Sequence, residues 1–261
     1  MFEGVIKLKN RGVHLHPRIN SVLRQALPAQ GYNLVYKGGV TCKSDWELIQ
    51  VVFEKNDEAT DALSHVLSFS DYLDTLTQNF TNAGIPTFLV EVTSDAQLPS
   101  SFTDSDIQNL LESMISQGKL KDVRGSGIYS LFFPSGVSIS LQGMGSCSYF
   151  LGYHNNKGNL YYIVIPYPCD VNVICSPSDN TAFYSYVFSH ELVECITDPV
   201  PGTGWVVDEG LVEEEIADVC EGNCFYSSLD VQKRYPLNPF YTESGCLPKP
   251  RRNETIRTPS K

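Results

Sequence analysis

Asn180-Thr181-Ala182-Phe183-Tyr184-Ser185-Tyr186-Val187-Phe188-Ser189-His190-Glu191-Leu192-Val193-Glu194-Cys195-Ile196-Thr197-Asp198-Pro199 is the stretch that decides how this chain folds. Nothing in it breaks a helix before Pro199, which lacks the backbone N–H a helix needs to continue. Ser178-Asp179-Asn180-Thr181 supplies the short polar side chains that suit a helix start. Apolar residues occupy most of the circumference, so the spacing predicts a helix buried nearly all round. Charges inside such a helix must be paired or bound to metal.

Upstream the chain alternates short apolar runs with helical patterns. Glu47 to Phe53, Thr87 to Val92, Ile128 to Phe133, Val137 to Leu141 and Leu160 to Ile165 read as strands. Tyr72, Leu73, Leu76 and Phe80 follow helical spacing after Ser70, a candidate N-cap. Ile107, Leu110, Leu111, Met114 and Ile115 follow it after Thr103 or Asp104, and Gly118 ends the run. Gly143 to Gly158 reads as a polar separator. Strands first, a long buried helix later and a loop-rich end describe one α+β domain. The expected divisions are an N-terminal segment at 1–37 packed on the domain, the domain at 38–247, and a flexible basic tail at 248–261.

A net charge of −11 argues against nucleic acid and anionic membranes as partners. No apolar run approaches the roughly 20 residues that span a bilayer, and Met1 to Asn20 lacks the apolar centre of an export signal. Eight cysteines form an even set in mostly loop-like sequence, which favours disulfides and an oxidising compartment. Cys220-x-x-x-Cys224 and Cys169-x5-Cys175 lack the usual Cys-x-x-Cys zinc spacing. Asn79-Phe80-Thr81 and Asn253-Glu254-Thr255 satisfy the glycosylation pattern, which counts only in an exported chain. His14, His16 and His65 read as structural or solvated.

The chemistry is expected on the long helix. Residues i and i+4 stack on one helix face, so His190 and Glu194 can point an imidazole nitrogen and a carboxylate oxygen at one ion. Zinc accepts both donors, and a catalytic zinc keeps one position open. Glu191, beside the histidine, is the candidate catalytic base that accepts a proton from the attacking water. A third ligand must come from elsewhere. Glu215-Ile216-Ala217-Asp218 offers two carboxylates, one to bind the ion and one to orient His190. His154 is an upstream rival and Asp208 a weaker one. Such a set is more anionic than three histidines and could also take manganese, iron or calcium. Tyr153, Trp205 or Tyr226 would line the cleft.

Leu131 to Val137, Cys147 with Gly152-Tyr153-His154, Tyr162 to Pro166 with Cys169, and Ser189 to Glu194 form a series of blocks. Thr197-Asp198-Pro199, Gly204-Trp205 and Glu215 to Glu221 continue it. In order and wording the series resembles the plant EXORDIUM (phosphate-induced protein 1) family and its bacterial and fungal relatives. The resemblance runs from Gly38 to Cys246 and is dense from Ile128 to Glu221. It implies a zincin-like α+β domain with His154, His190, Glu191, Glu194, Glu215 and Asp218 at the site. It also implies export, and for the plant members an association with the cell wall and growth. Leu151 stands where many relatives have Cys, which implies that Cys147 pairs differently or stays free. Two functions are expected to compete: a metal-dependent, peptidase-like hydrolase, and a non-catalytic binding protein whose same residues hold a structural ion or a buried polar network.

Overall fold

A computed structural model describes residues 13–15, 32–94, 98–169, 179–208, 213–226 and 235–247. The basic tail 248–261, His16, Cys175 and the Asn253 triplet lie outside the described residues. In chain order the elements begin with β1 (Val13–Leu15), β2 (Asn33–Tyr36), β3 (Glu47–Phe53), α1 (Asp57–Ser68), α2 (Ser70–Asn79) and β4 (Thr87–Ser94). There follow β5 (Ser101–Thr103), α3 (Asp104–Ser116), β6 (Gly127–Phe132), β7 (Ser138–Leu141), β8 (Met144–Gly145), β9 (Phe150–Lys157) and β10 (Leu160–Ile165). Then come α4 (Asn180–Thr197), β11 (Trp205–Asp208), β12 (Glu213–Glu214) and a 3-10 turn at Asp218–Cys220. Four short strands, β13 (Phe225–Tyr226), β14 (Pro236–Leu237), β15 (Phe240–Thr242) and β16 (Gly245–Leu247), complete the order.

A six-stranded mixed sheet, in the order β1-β9-β10-β6-β3-β4, is the centre of the molecule. Its strands β10, β6, β3 and β4 run parallel, and at one edge β9 pairs antiparallel with β10 and β1 antiparallel with β9. Side-chain alternation divides the core in two. Leu48, Val52, Ile128, Phe132, Ile163 and Ile165 face α1, α2 and α4. Ile49, Val51, Phe53, Tyr129, Leu131 and Val164 face α3 and the small sheet β5-β7-β8. The strands read as near-continuous apolar runs because both faces are covered. The architecture is mixed α+β, as expected.

Local signals set the helix ends. Thr103 caps α3 through a reciprocal box with Asp106, and Gly118 leaves the helix with φ +69°. Asp179 caps α4 by accepting from Thr181 N. The N-cap of α2 is Phe69, not Ser70, which is already helical. The larger departure is Gly143 to Gly158, read as a separator. It holds β8 and β9, and β9 is buried from Phe150 to Asn155. Its His154 and Asn155 interrupt the apolar alternation that announces a strand, yet both are buried. Residues before Gly38 contribute strands to two sheets, β1 beside β9 and β2 beside β11.

Among the described residues Cys147 bonds to Cys169 and Cys220 to Cys246, a pattern compatible with an oxidising or extracellular compartment. Cys42 and Cys195 are buried free thiols. No helix among the described residues is long and apolar enough to cross a membrane.

Candidate metal centre

Helix α4 is buried from Thr181 to Thr197, with one side on the sheet and the other under the C-terminal segments. Two features bring it onto β9 and hold its neighbours. Gly152 has no side chain to fend the helix off: a Cβ there would stand 2.6 Å from Val187 Cγ1 and 3.1 Å from Glu191 Oε1. On the far side Asn238 links Ser189 to the Glu215–Asp218 segment. Its N–H donates to Ser189 Oγ at 2.9 Å and its amide to the Ala217 carbonyl at 3.0 Å. The Cys220–Cys246 disulfide then ties that segment to β16.

His190, Glu194 and Asp218 form one cluster and His154, Glu194 and Glu215 a second, with the ligand atoms of each within 4.8 Å of one another. These buried groups are placed so that they could hold a metal ion. His190 Nε2 lies 3.2 Å from Glu194 Oε2 and 3.4 Å from Asp218 Oδ1. Nitrogen and oxygen donors at about 2.0–2.2 Å from a tetrahedral zinc stand about 3.3–3.6 Å apart, close to the two distances from His190. Glu194 is prepared for that role. Its Oε1 accepts the N–H groups of Ala217 and Asp218, both at 3.1 Å, and its buried Oε2 accepts no hydrogen bond. The same two bonds fix the Asp218 backbone beside the helix.

His154 enters from β9 and serves a different pair. Its Nε2 lies 3.1 Å from the Asp198 carbonyl and 3.2 Å from Glu215 Oε1, both acceptors, so this nitrogen carries hydrogen. Its Nδ1 faces Glu191 Oε2 at 3.4 Å and Glu194 Oε2 at 3.8 Å. Glu194 Oε2 is shared by both clusters while His154 is engaged by Glu191 and Glu215, so the geometry favours one ion with His154 beside it over two ions. The expectation that Glu215 or Asp218 would orient His190 is therefore redistributed: Asp218 reaches His190, and Glu215 pairs with His154. Asp208, on β11, belongs to neither cluster. Tyr153 lies on the opposite face of the sheet, where its hydroxyl donates to Asp104, and Trp205 packs on Tyr36 and Phe80. Neither lines the site.

Charge carries the case for a cation. Glu191, Glu194, Glu215 and Asp218 bring four carboxylates, and no lysine or arginine reaches them among the described residues. A histidine that ligates is neutral, so with His154 protonated the four carboxylates leave three negative charges, which a divalent cation would offset in part. Burial acts on the same groups. Burial raises Glu194 well above the carboxylate range against the pull of His190. It raises Glu215 to about 7 against that of His154. Burial alone would lower both histidines, but Glu215 and Glu191 around His154, and Glu194 and Asp218 around His190, hold them well above the usual value.

Besides Asn238, the site depends on Asp198, Gly152 and Asp104, whose roles in it local sequence does not announce. Asp198 accepts three backbone N–H groups from 202–204. Its signal was an Asp between a helix end and Pro, followed by Gly-Thr-Gly. Gly152 was visible only as part of Gly-Tyr-His. Asp104 accepts from Tyr153, Asn155, Tyr162 and Gln108, and so anchors the far face of β9 on either side of His154. No family model, curated protein or solved structure matches the chain.

Proposed function

We propose that this chain is a zinc-dependent hydrolase of zincin-like type, most simply a peptidase, related to the EXORDIUM family, with His190, Glu194 and Asp218 as ligands and Glu191 as base. The observation that carries the reading is the convergence of His190, Glu194 and Asp218 in a buried site, with His190 Nε2 3.2 Å from Glu194 Oε2 and 3.4 Å from Asp218 Oδ1. Zinc there would supply Lewis acidity and a nucleophile near pH 7. Glu191 accepts the proton at Oε1, which makes no hydrogen bond, while its Oε2 is held by His154. Glu215 backs His154 from the other side, so a proton arriving at Glu191 meets a hydrogen-bonded chain instead of an apolar wall.

One observation favours the second reading, a non-catalytic protein with a structural ion. His190, Glu191 and Glu194 are 0% exposed, and of the ligand side chains only Asp218 is open, at 15%. Structural zinc sites are closed in this way.

Metal analysis and cleavage of a peptide library separate the two. The hydrolase reading expects stoichiometric metal in wild type and Glu191→Gln, none in His190→Ala, and cleavage by wild type alone. The structural reading expects no cleavage, with melting temperature and metal falling together in His190→Ala and Glu191→Gln nearly silent. Wild-type protein that takes up no divalent metal would sink both.

A further inference from the structure

Asp198 is buried at the C-terminal end of α4, where helix carbonyls have no intrahelical partner. Pro199 cannot prolong the helix, and the chain turns back over 199–204. The Asp198 carboxylate gathers that turn. Oδ2 accepts from Gly202 N at 2.5 Å, and Oδ1 accepts from Thr203 N at 3.1 Å and Gly204 N at 2.6 Å. Gly202 takes φ +81°, and Gly204 lies so close that a Cβ would stand 2.3 Å from the Thr197 carbonyl oxygen and 2.8 Å from Asp198 Cα. The turn is held from outside as well, by Lys37 N on the Gly204 carbonyl and Gly39 N on the Thr203 carbonyl. Asp198 N donates to the Glu194 carbonyl at 2.6 Å, so side chain and backbone are both fastened.

The Asp198–Pro199 peptide group, whose carbonyl faces His154, is flanked by these bonds: the Asp198 N–H is held on one side and the 202–204 turn on the other. We infer that Asp198 is a positioning residue: by clasping Gly202, Thr203 and Gly204 it fixes its own carbonyl 3.1 Å from His154 Nε2, and so turns Nδ1 toward Glu191. A carbonyl only accepts, so it admits the ring only with hydrogen on Nε2. The assignment rests on the reading that Glu191 and His154 belong to the working site, but its geometry does not depend on which reaction occurs there. Glu215 Oε1 is a second acceptor for the same nitrogen, and the test must separate the two.

The test is imidazole NMR on full-length protein labelled with 15N-histidine, which has five histidines, His154 being assigned with His154→Gln. Wild type is expected to show Nε2 protonated and slow to exchange with solvent. In Asp198→Asn, whose amide end cannot accept from the turn, exchange at Nε2 is expected to quicken by about tenfold or more and the Nδ1 shift to move. Metal content should stay at the wild-type level. In Glu215→Gln the amide can still accept at Nε2 and the Asp198 carbonyl is untouched, so hydrogen is expected to stay on Nε2. Where turnover is measurable, Asp198→Asn lowers kcat with KM unchanged. An unprotonated Nε2 in wild type overturns the assignment without any variant. So does Asp198→Asn with His154 signals and exchange within twofold of wild type, whatever happens to activity. Absence of turnover in every protein, with the NMR pattern as expected, removes the hydrolase reading and leaves the positioning role standing.

Discussion

Replacing Gly152 by alanine would put a methyl group 2.6 Å from Val187 Cγ1, 3.1 Å from Glu191 Oε1 and 3.3 Å from Glu191 Cγ. Carbon atoms rest about 3.5–4.0 Å apart, so β9 and α4 would have to separate by about 1 Å. Both elements are buried and packed on other layers, which places the strain near the top of the overpacking range, about 2–3 kcal/mol. Alanine recovers about 0.5–1 kcal/mol of the entropy that glycine loses in a strand. The net loss is then about 1–2 kcal/mol, or about 2–8 °C in Tm for a chain of this size. Val187 supplies the nearest atom, so Val187→Ala should relieve the strain while costing about 1–3 kcal/mol on its own for two lost methyl groups. Urea unfolding of the four proteins gives the cycle. The double variant should be about as stable as Val187→Ala alone, a coupling of about 1–2 kcal/mol. Additivity within about 0.5 kcal/mol would refute the claim that β9 and α4 are in contact through Gly152.

Glu194→Gln keeps an oxygen for the Ala217 and Asp218 amides and turns an NH2 group toward His190. Metal affinity, read by competition with a chelator, should fall by more than about 100-fold. A change of less than about tenfold would take Glu194 out of the ligand set. Asp104→Ala leaves the Tyr153 and Tyr162 hydroxyls without their acceptor, at about 1–3 kcal/mol for each buried group. Thermal unfolding should show a Tm lower by at least about 4 °C, and an unchanged Tm would mean that other groups satisfy both tyrosines. Asp106, in the α3 capping box, has its pKa lowered by hydrogen bonds from the Thr103 hydroxyl and N–H. A folded-state pKa below the unfolded value gives stability that is present above the unfolded pKa and lost as pH falls through the folded one. Asp106→Ala should therefore lower Tm at pH 7 and converge on wild type as pH drops below about 4. A gap that stays constant with pH would contradict the capping role.

How far the sequence alone reached depended on the range of the interaction. Helix α4, its Asp179 start and its end before Pro199 follow from local chemistry, as do the Thr103 start of α3 and the left-handed Gly118 after it. The i, i+4 pair His190 and Glu194 needs only helical geometry to share a face. The buried charge also follows, because a helix that is apolar all round has nowhere to expose His190 and Glu191. Glu215, Asp218 and His154 could be named as candidates, but not what each one touches.

That assignment needed tertiary structure. Glu215 and Asp218 are three residues apart in a short turn, where no periodicity says which carboxylate faces which histidine. The Glu194 bonds to two backbone amides, the Asn238 link and the disulfide to Cys246 decide it, and all are contacts between distant segments. β9 was hidden for the same reason. Its polar residues are buried because Asp104 meets them on one face and Glu191, Glu215 and the Asp198 carbonyl meet His154 on the other. Hydrophobic pattern reports burial only where burial is apolar. Where it rests on hydrogen bonds and charge between distant segments, the fold has to bring the partners together before either side chain can be understood.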